Sequence, residues 1–369
     1  MVQIHGGNIY NEKTELDFSA NINPLGMPEC AVKAFIGSVS DTERYPDPYC
    51  RDLVKAISEK ECFPEENITA GNGADDLIFR ICTAFRPKKS VIVAPSFSEY
   101  EKALKEAGSE IVYYEAKPEN DFDIMTDIAD MITDQTDMIF IASPNNPTGR
   151  LISADVMRVL AEKCLQNDCI LVADECFIDF VYDSKKHSIR NVMNKNVIIL
   201  KAFTKIYAMP GIRLGYVLCG CRDIAEKIRN SGQFWSVSSP AQATGTAALK
   251  DMEYVRKTAE LIECEREYLS EELRKLGFYV FDTAVNFILF RLELPIYKML
   301  MSEGILIRDC SNYRGLSEGY FRIAVRTHEE NEKLVKALER CKNGQTNNDT
   351  GHDVKCRKEL SCSGTLQST

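Results

Sequence analysis

No run of eighteen apolar residues occurs anywhere in the chain, so a membrane-spanning helix is not expected. The first eight residues, Met1 to Asn8, also lack the basic segment and apolar core that a secretory signal needs. The expected location is therefore the cytoplasm. Basic charge is scarce as well: the formal net charge is -10 and no Lys/Arg cluster stands out. That excludes nucleic acid as an expected partner, because phosphate contacts need a basic face. Fourteen cysteines are present but no CxxC pair. Scattered as they are, with Cys82, Cys164 and Cys169 inside apolar runs, they read as reduced thiols filling small core positions. Cys341, His352, Cys356 and Cys362 are irregularly spaced, and no metal site is assigned to them. No internal repeat points to a solenoid.

At 369 residues, 44% of them hydrophobic and 27% charged, the chain has the balance of a soluble globular protein and the length for about two domains. From about residue 68 to 220, short β-rich runs alternate with helical stretches, which predicts an α/β layer around a largely parallel sheet. The strands read at Ser90–Ala94, Asp137–Ser143, Cys169–Glu175, Val197–Phe203 and Arg213–Leu218 are nearly continuous in apolar residues, as strands buried on both faces are. Ala74–Phe85 and Ser153–Leu165 have helical spacing. Past Trp235 the pattern becomes mixed: a long helical stretch (240–276), two strands within 278–291, two more at 304–308 and 320–325, and a final helix over Glu329–Cys341. The expected division is an amino-terminal arm (1–30), a large domain (31–235), a small α+β domain (236–341) and a polar tail (342–369) that is expected to be disordered.

Polar groups stand at several strand ends. Ser143-Pro-Asn-Asn-Pro-Thr-Gly149 brings Asn146 to the end of one strand, and Asp174-Glu-Cys-Phe177 brings Asp174 to the end of another. Open parallel sheets bind ligands outside these carboxyl ends. Taken alone, the first motif is equally an ordinary Pro/Gly turn. Lys205, at the end of Phe203-Thr-Lys205, is followed by Pro210-Gly-Ile-Arg213-Leu-Gly215; by itself a strand-end lysine is usually a solvated cation. Gly71-Asn-Gly73-Ala74-Asp75-Asp76 is a glycine turn running into a helix start, where free N–H groups and the helix dipole favour an anion. It lacks the third glycine of a dinucleotide fingerprint and precedes the best strands. Pro95-Ser-Phe97 sets an aromatic ring at a further strand end, suited either to core packing or to stacking on a flat ligand.

Together these residues resemble the fold-type-I pyridoxal-phosphate enzymes, in which an Asn is followed by an Asp, a Lys and an Arg at about the spacing of Asn146, Asp174, Lys205 and Arg213. Over residues 5–340 the chain is similar to the histidinol-phosphate aminotransferase branch, and inside it to the threonine-phosphate decarboxylase group of cobalamin synthesis. The motifs that carry this likeness are His5-Gly-Gly-Asn8, Phe18-Ser-Ala-Asn-Ile-Asn-Pro-Leu-Gly26, Tyr45-Pro-Asp-Pro48, Asp174-Glu-Cys-Phe-Ile-Asp-Phe180, the stretch from Thr204 to Tyr216, Ile307-Arg-Asp-Cys310 and Phe321-Arg-Ile-Ala-Val-Arg326.

The resemblance implies pyridoxal 5'-phosphate as cofactor, carried by the amine of Lys205, which burial would make neutral enough to attack an aldehyde. Asp174 would keep the pyridine nitrogen protonated, so that the ring can accept electrons. Asn146 would bond the ring's phenolic oxygen and Phe97 would stack on the ring. Arg213 would meet the phosphate in a charge-assisted fork, beside Thr204 and the turn Gly73, Ala74, Asp75. A homodimer is implied too, with Tyr45 of one chain near the other chain's cofactor phosphate. His5 and Asn23 from the arm, Asn146, and Arg308 and Arg322 from the small domain would bind the substrate, a small phosphorylated amino acid whose two anions call for two fixed cations.

Two positions depart from the relatives' pattern. Ala202 stands where a Ser or Thr commonly touches the cofactor phosphate, and Phe177 replaces a tyrosine common in the aminotransferases. The reaction implied is decarboxylation of L-threonine O-3-phosphate to (R)-1-aminopropan-2-yl phosphate. An aminotransferase acting on histidinol phosphate needs the same lysine, aspartate and arginines. Serine phosphate differs from the expected substrate by one methyl, which changes discrimination by only about 1–3 kcal/mol. A non-catalytic, cofactor-binding regulator is disfavoured by the intact Lys205, Asp174 and Asn146 and by the lack of an appended DNA-binding helix pair.

Overall fold

The computed structural model describes residues 5–10 and 14–359, with side chains to residue 343. A short first strand, β1 (Leu16–Asp17), pairs in parallel with the distant strand Ile305–Leu306, so the start of the chain is tied to its last third. Helices α1 (Glu29–Gly37) and α2 (Arg51–Glu61) follow.

The large sheet has seven strands: β2 (Ile68–Gly71), β3 (Lys89–Ala94), β4 (Glu110–Glu115), β5 (Met138–Ala142), β6 (Ile170–Asp174), β7 (Val197–Ala202) and β8 (Gly215–Cys219). Their spatial order is β2-β8-β7-β6-β5-β3-β4. β4, β3, β5, β6 and β7 run parallel, while β8 is antiparallel to both of its neighbours. The α/β expectation of a mostly parallel sheet is met. The strand expected to begin at Arg213 begins two residues later, because Arg213 itself sits at φ +57° in the left-handed region and belongs to the turn.

β5 to β8 are buried along their whole length, which matches their continuous apolar sequence. One face is covered by α3 (Ala74–Phe85) and α4 (Ser98–Glu106), whose Leu77, Ile78, Ile81, Tyr100 and Leu104 pack on Ile92, Phe140, Val172 and Ile198. On the other face lies the larger core, to which α5 (Ala154–Gln166) contributes Val156, Met157 and Leu160. Ser153 caps that helix, its Oγ accepting the Val156 N–H at 3.3 Å.

After β7 the chain turns at once into α6 (Phe203–Ile206), and after β8 come α7 (Arg222–Asn230), α8 (Ser239–Ala248) and α9 (Met252–Lys275). α8 packs on α1 and α2. A Cβ on its Gly245 would lie 2.3 Å from Leu214 and 3.5 Å from Phe203, so α8 presses directly beneath the segment that carries Lys205. The smaller sheet is antiparallel, with strands β9 (Tyr279–Val280), β10 (Phe287–Arg291), β12 (Arg308–Asp309) and β13 (Tyr320–Ala324), and β11 (Ile305–Leu306) is the partner of β1. The last helix starts at His328 and continues to Glu359, beyond the end expected at Cys341. Part of the tail expected to be disordered thus falls on this helix, and residues 360–369 lie outside the described residues, as do the side chains of His352, Cys356 and Cys362.

Candidate functional site

The carboxyl ends of β3, β5, β6 and β7 converge with the start of α3 on one cavity of about 180 Å³. Ala74, Asp75, Phe97, Asn146, Asp174, Thr204, Lys205 and Arg213 all line it, together with Ala202 and Phe177. A wider cavity of about 490 Å³ shares Asp75, Phe97, Asn146, Phe177, Lys205 and Arg213 with the first and adds His5, Asn21 and Arg322. A small inner pocket thus opens into a larger outer one, with Lys205 on the boundary.

Lys205 is half-buried on the four-residue turn of α6, with its ammonium 5.9 Å from the centre of the Phe177 ring. Burial, reinforced by the nearby Arg322 and Arg213, pulls its amine down to about 8. Asp174 ends β6 and is 8% exposed. Its Oδ2 accepts the Tyr100 hydroxyl at 2.5 Å and its Oδ1 accepts the Cys176 N–H at 2.9 Å. Burial pushes the Asp174 carboxyl up, while the bonds from Cys176 and Tyr100 and the charge of Lys205 hold it down. Burial, and then Asp174 itself, push the Tyr100 phenol well above its ordinary value, so the proton stays on the phenol and the carboxylate is the acceptor.

Beside them, Gly73 adopts φ +91° at the start of α3, and a Cβ there would lie 2.7 Å from Arg213 Nη2. Only glycine lets the guanidinium lie against the helix start. The first N–H groups of α3 have no acceptor within the helix, and with Arg213 and the Thr204 hydroxyl they make a cradle for an anion. The set fits the pyridoxal phosphate implied by the sequence: cationic and N–H donors for a phosphate, an aromatic face on Phe97, a buried acid for a ring nitrogen and an amine for an aldehyde. Ala202 lines the same pocket and offers no hydroxyl.

The remaining residues expected at the site are spread differently. Arg322, from β13, reaches the outer cavity, where its Nη1 donates to the Asn146 side-chain oxygen and its Nη2 to the Ser19 carbonyl at 2.8 Å. His5 lines the same cavity, its Nε2 2.9 Å from Glu99 Oε1. Arg308, 1% exposed, lies one layer behind: it donates to the Asp309 carbonyl at 2.6 Å and to Asn312 Oδ1 at 2.8 Å, and it borders a separate pocket of about 70 Å³ with Phe97 and Tyr313.

Asn23 lines neither cavity. Its Nδ2 donates to the Ile206 carbonyl and to Thr258 Oγ1, both at 2.7 Å, and its N–H donates to the Lys205 carbonyl at 3.2 Å. It buttresses the lysine turn from below. Two residues earlier, Asn21 does line the outer cavity, with a buried Oδ1 that lacks a hydrogen-bond partner. Tyr45 is 79% exposed, stacks on Trp235 at 4.5 Å between ring centres and lines neither cavity.

Sequence reasoning missed Tyr100, Asn21 and Glu99. Tyr100 follows Phe97 by three residues at the start of α4, a spacing that puts both on one side of a helical turn. That was the available signal. Asn21 lies inside a motif already singled out, and only the fold distinguishes it from Asn23.

The chain matches the family described as aminotransferase class I and II over residues 13–338. It is 40% identical to a protein of Caldanaerobacter subterraneus subsp. tengcongensis provisionally named threonine-phosphate decarboxylase, over 90% of this chain and 92% of the relative. It is 34% identical to the threonine-phosphate decarboxylase of Salmonella typhimurium, over 90% and 95% respectively. Among solved structures it superposes on the histidinol-phosphate aminotransferase from Clostridium acetobutylicum with a TM-score of 0.84 and 32% identity, covering 89% of this chain and 99% of that one.

Proposed function

The chain belongs to the class I and II aminotransferase family, and we propose that within it the protein is a pyridoxal 5'-phosphate-dependent decarboxylase of L-threonine O-3-phosphate, serving cobalamin synthesis. The product is (R)-1-aminopropan-2-yl phosphate. What carries this reading is the meeting of Lys205, Asp174 and Arg322 on two connected cavities, in a chain similar over 90% of its length to proteins named for that reaction.

Bound in the inner pocket, pyridoxal phosphate supplies the electron sink that loss of carbon dioxide from an α-carbon requires. Everything else is done by this chain's residues. Asp174, whose ionised form the bonds from Tyr100 and Cys176 favour against the upward push of burial, would keep a proton at the ring nitrogen. Thr204, Arg213 and the start of α3 grip the phosphate. Phe177 has no hydroxyl, so Asn146 alone of the two bonds the ring oxygen. Arg322 at the cavity wall provides a fixed cation for one substrate anion, with Asn21 on the same cavity, whereas Arg308, held by Asn312 a layer behind, lines neither cavity. The Lys205 side chain, protonated as its ammonium, gives a proton to the α-carbon once carbon dioxide has left, and ends as the neutral amine. Phe97, Phe177 and Pro144 keep water from the reacting carbon.

A homodimer completes the proposal. Tyr45, Tyr49, Phe234 and Trp235 form an exposed aromatic cluster, each at least 48% exposed, and such a patch is suited to burial against a second copy. We place the protein in the cytoplasm; no helix among the described residues is long and apolar enough to cross a membrane.

Purified, cofactor-loaded protein given L-threonine O-3-phosphate without any keto acid is expected to release one carbon dioxide per substrate consumed. Strict dependence on 2-oxoglutarate, with amino transfer in place of gas release, would sink the proposal and favour the activity named for the Clostridium structure. L-Serine O-phosphate is expected to be a substrate with kcat/KM lower by roughly 10- to 200-fold, the range for one methyl.

The charge state of Lys205 gives a second measurement. Only the neutral amine attacks an aldehyde, and this amine loses its proton near pH 8. The initial rate at which apoprotein takes up pyridoxal phosphate should therefore fall about tenfold per pH unit below that point and level off above it. A rate that stays flat from about pH 6 to 9 would contradict the assignment.

A further inference from the structure

Glu99 is an acid in the wrong place for a site that takes anions. It stands in the first turn of α4, 8% exposed, and lines the outer cavity with Arg322 and Lys205. A buried carboxylate is retained only where it is paired, and here both oxygens are taken. Oε1 lies 2.9 Å from His5 Nε2, and Oε2 lies 3.5 Å from Lys102 Nζ, one helical turn along α4. Lys102 also lines the cavity. The two partners come from segments 97 residues apart, a histidine near the start of the chain and a lysine on α4.

The arm is fitted closely to the cavity wall at this point. The Gly7 N–H donates to Ser19 Oγ at 2.8 Å, and a Cβ on Gly6 would lie 2.0 Å from the Ser19 carbonyl oxygen. That same carbonyl accepts from Arg322. The ring of His5 leans on Phe97 at 5.6 Å between centres. His5 to Gly7 therefore cross between the wall that holds Arg322 and the wall that holds Phe97, and the far end of the crossing is fastened at Glu99.

We propose that Glu99 is a positioning residue: it clamps His5 and Lys102 side by side at the outer cavity, latches the His5–Gly7 strap there, and so makes the site selective for phosphorylated amino acids. The selectivity rests on the functional reading above, but the latch does not. Glu99 need not touch substrate. Its two oxygens hold the imidazole and the ammonium together at the cavity wall whether or not an anion is bound.

The test uses the cofactor-loaded full chain. Glu99→Gln is expected to raise KM for L-threonine O-3-phosphate about tenfold, the effect of losing about 1.4 kcal/mol, while kcat falls less than about threefold. Glu99→Asp should recover part of the loss. In the same Glu99→Gln protein, hydrogen exchange over residues 5–10 should rise, and inorganic phosphate should slow that exchange in the wild type but not in the variant. Lys102→Gln, at a side chain 60% exposed, folds without difficulty; it should raise KM several-fold and leave exchange of the strap unchanged. Wild-type KM in both Gln variants, or wild-type exchange in Glu99→Gln, would overturn the proposal. If the wild type turns over no phosphorylated amino acid, the functional reading fails, and the exchange comparison still decides the latch.

Discussion

Lys205→Ala is expected to lower turnover by about 10⁴-fold or more, since it removes both the covalent anchor and the group that moves the proton. The loss should be one of chemistry and not of folding. Lys205 is half-buried against the cavity, near the like charges of Arg322 and Arg213, so replacing it relieves repulsion, and the thermal midpoint of the apoprotein should be unchanged or slightly higher. Two measurements separate its duties. The visible absorbance of the lysine-bound cofactor should be missing, while the cradle at Gly73, Thr204 and Arg213 should still hold the cofactor through its phosphate, so dialysis should remove it more slowly than free exchange would. A small exogenous amine such as methylamine should restore part of the turnover, because it can supply the proton that Lys205 no longer carries. Turnover equal to wild type in the alanine variant would refute the assignment of Lys205.

How much of this was legible beforehand follows from which interactions are local. β5, β6 and β7 were readable because burial on both faces leaves a continuous apolar run, and Asn146, Asp174 and Lys205 were readable because Asp174 ends such a strand and the other two lie three or four residues past the end of one. α3 was readable to its last residue, Phe85, since its apolar spacing and the glycine turn before it are both local. What escaped depends on contacts across long stretches of chain. The direction of β8 is set by pairing with β2 and β7. The register of Asn21 and Asn23 is set by how the arm lies over α6 and α9. Whether Arg308 faces a cavity or lies a layer behind it is fixed by the turn through Asn312 and Tyr313. Glu99 carries no signal of its own in the sequence, and only the fold brings His5 to it.

Asp174→Asn tests the electronic half of the mechanism, with an expected fall in kcat of about 10²- to 10³-fold, the usual loss when one preorganised charge at a reacting system is removed. An amide fills nearly the same space; its one oxygen can still accept the Cys176 N–H, while its NH2 can donate to the Tyr100 oxygen in place of accepting from it, so the pocket should keep its shape and the cofactor should still load. What the amide lacks is a negative charge to hold a proton on the ring nitrogen, and without that proton the ring is a poorer electron sink. Tyr100→Phe makes the informative contrast. It leaves the carboxylate in place but removes one of its donors, a hydrogen bond to a charged group worth about 1.5–3 kcal/mol. Part of that will be recovered by Cys176 and Lys205, which also favour the ionised form, so the expected fall in kcat is about tenfold. The order matters more than either size. If Tyr100→Phe were as damaging as Asp174→Asn, the phenol would be taking part in the chemistry itself, whereas a tenfold effect beside a hundredfold one or more is the mark of a group that acts only by keeping Asp174 charged and correctly turned.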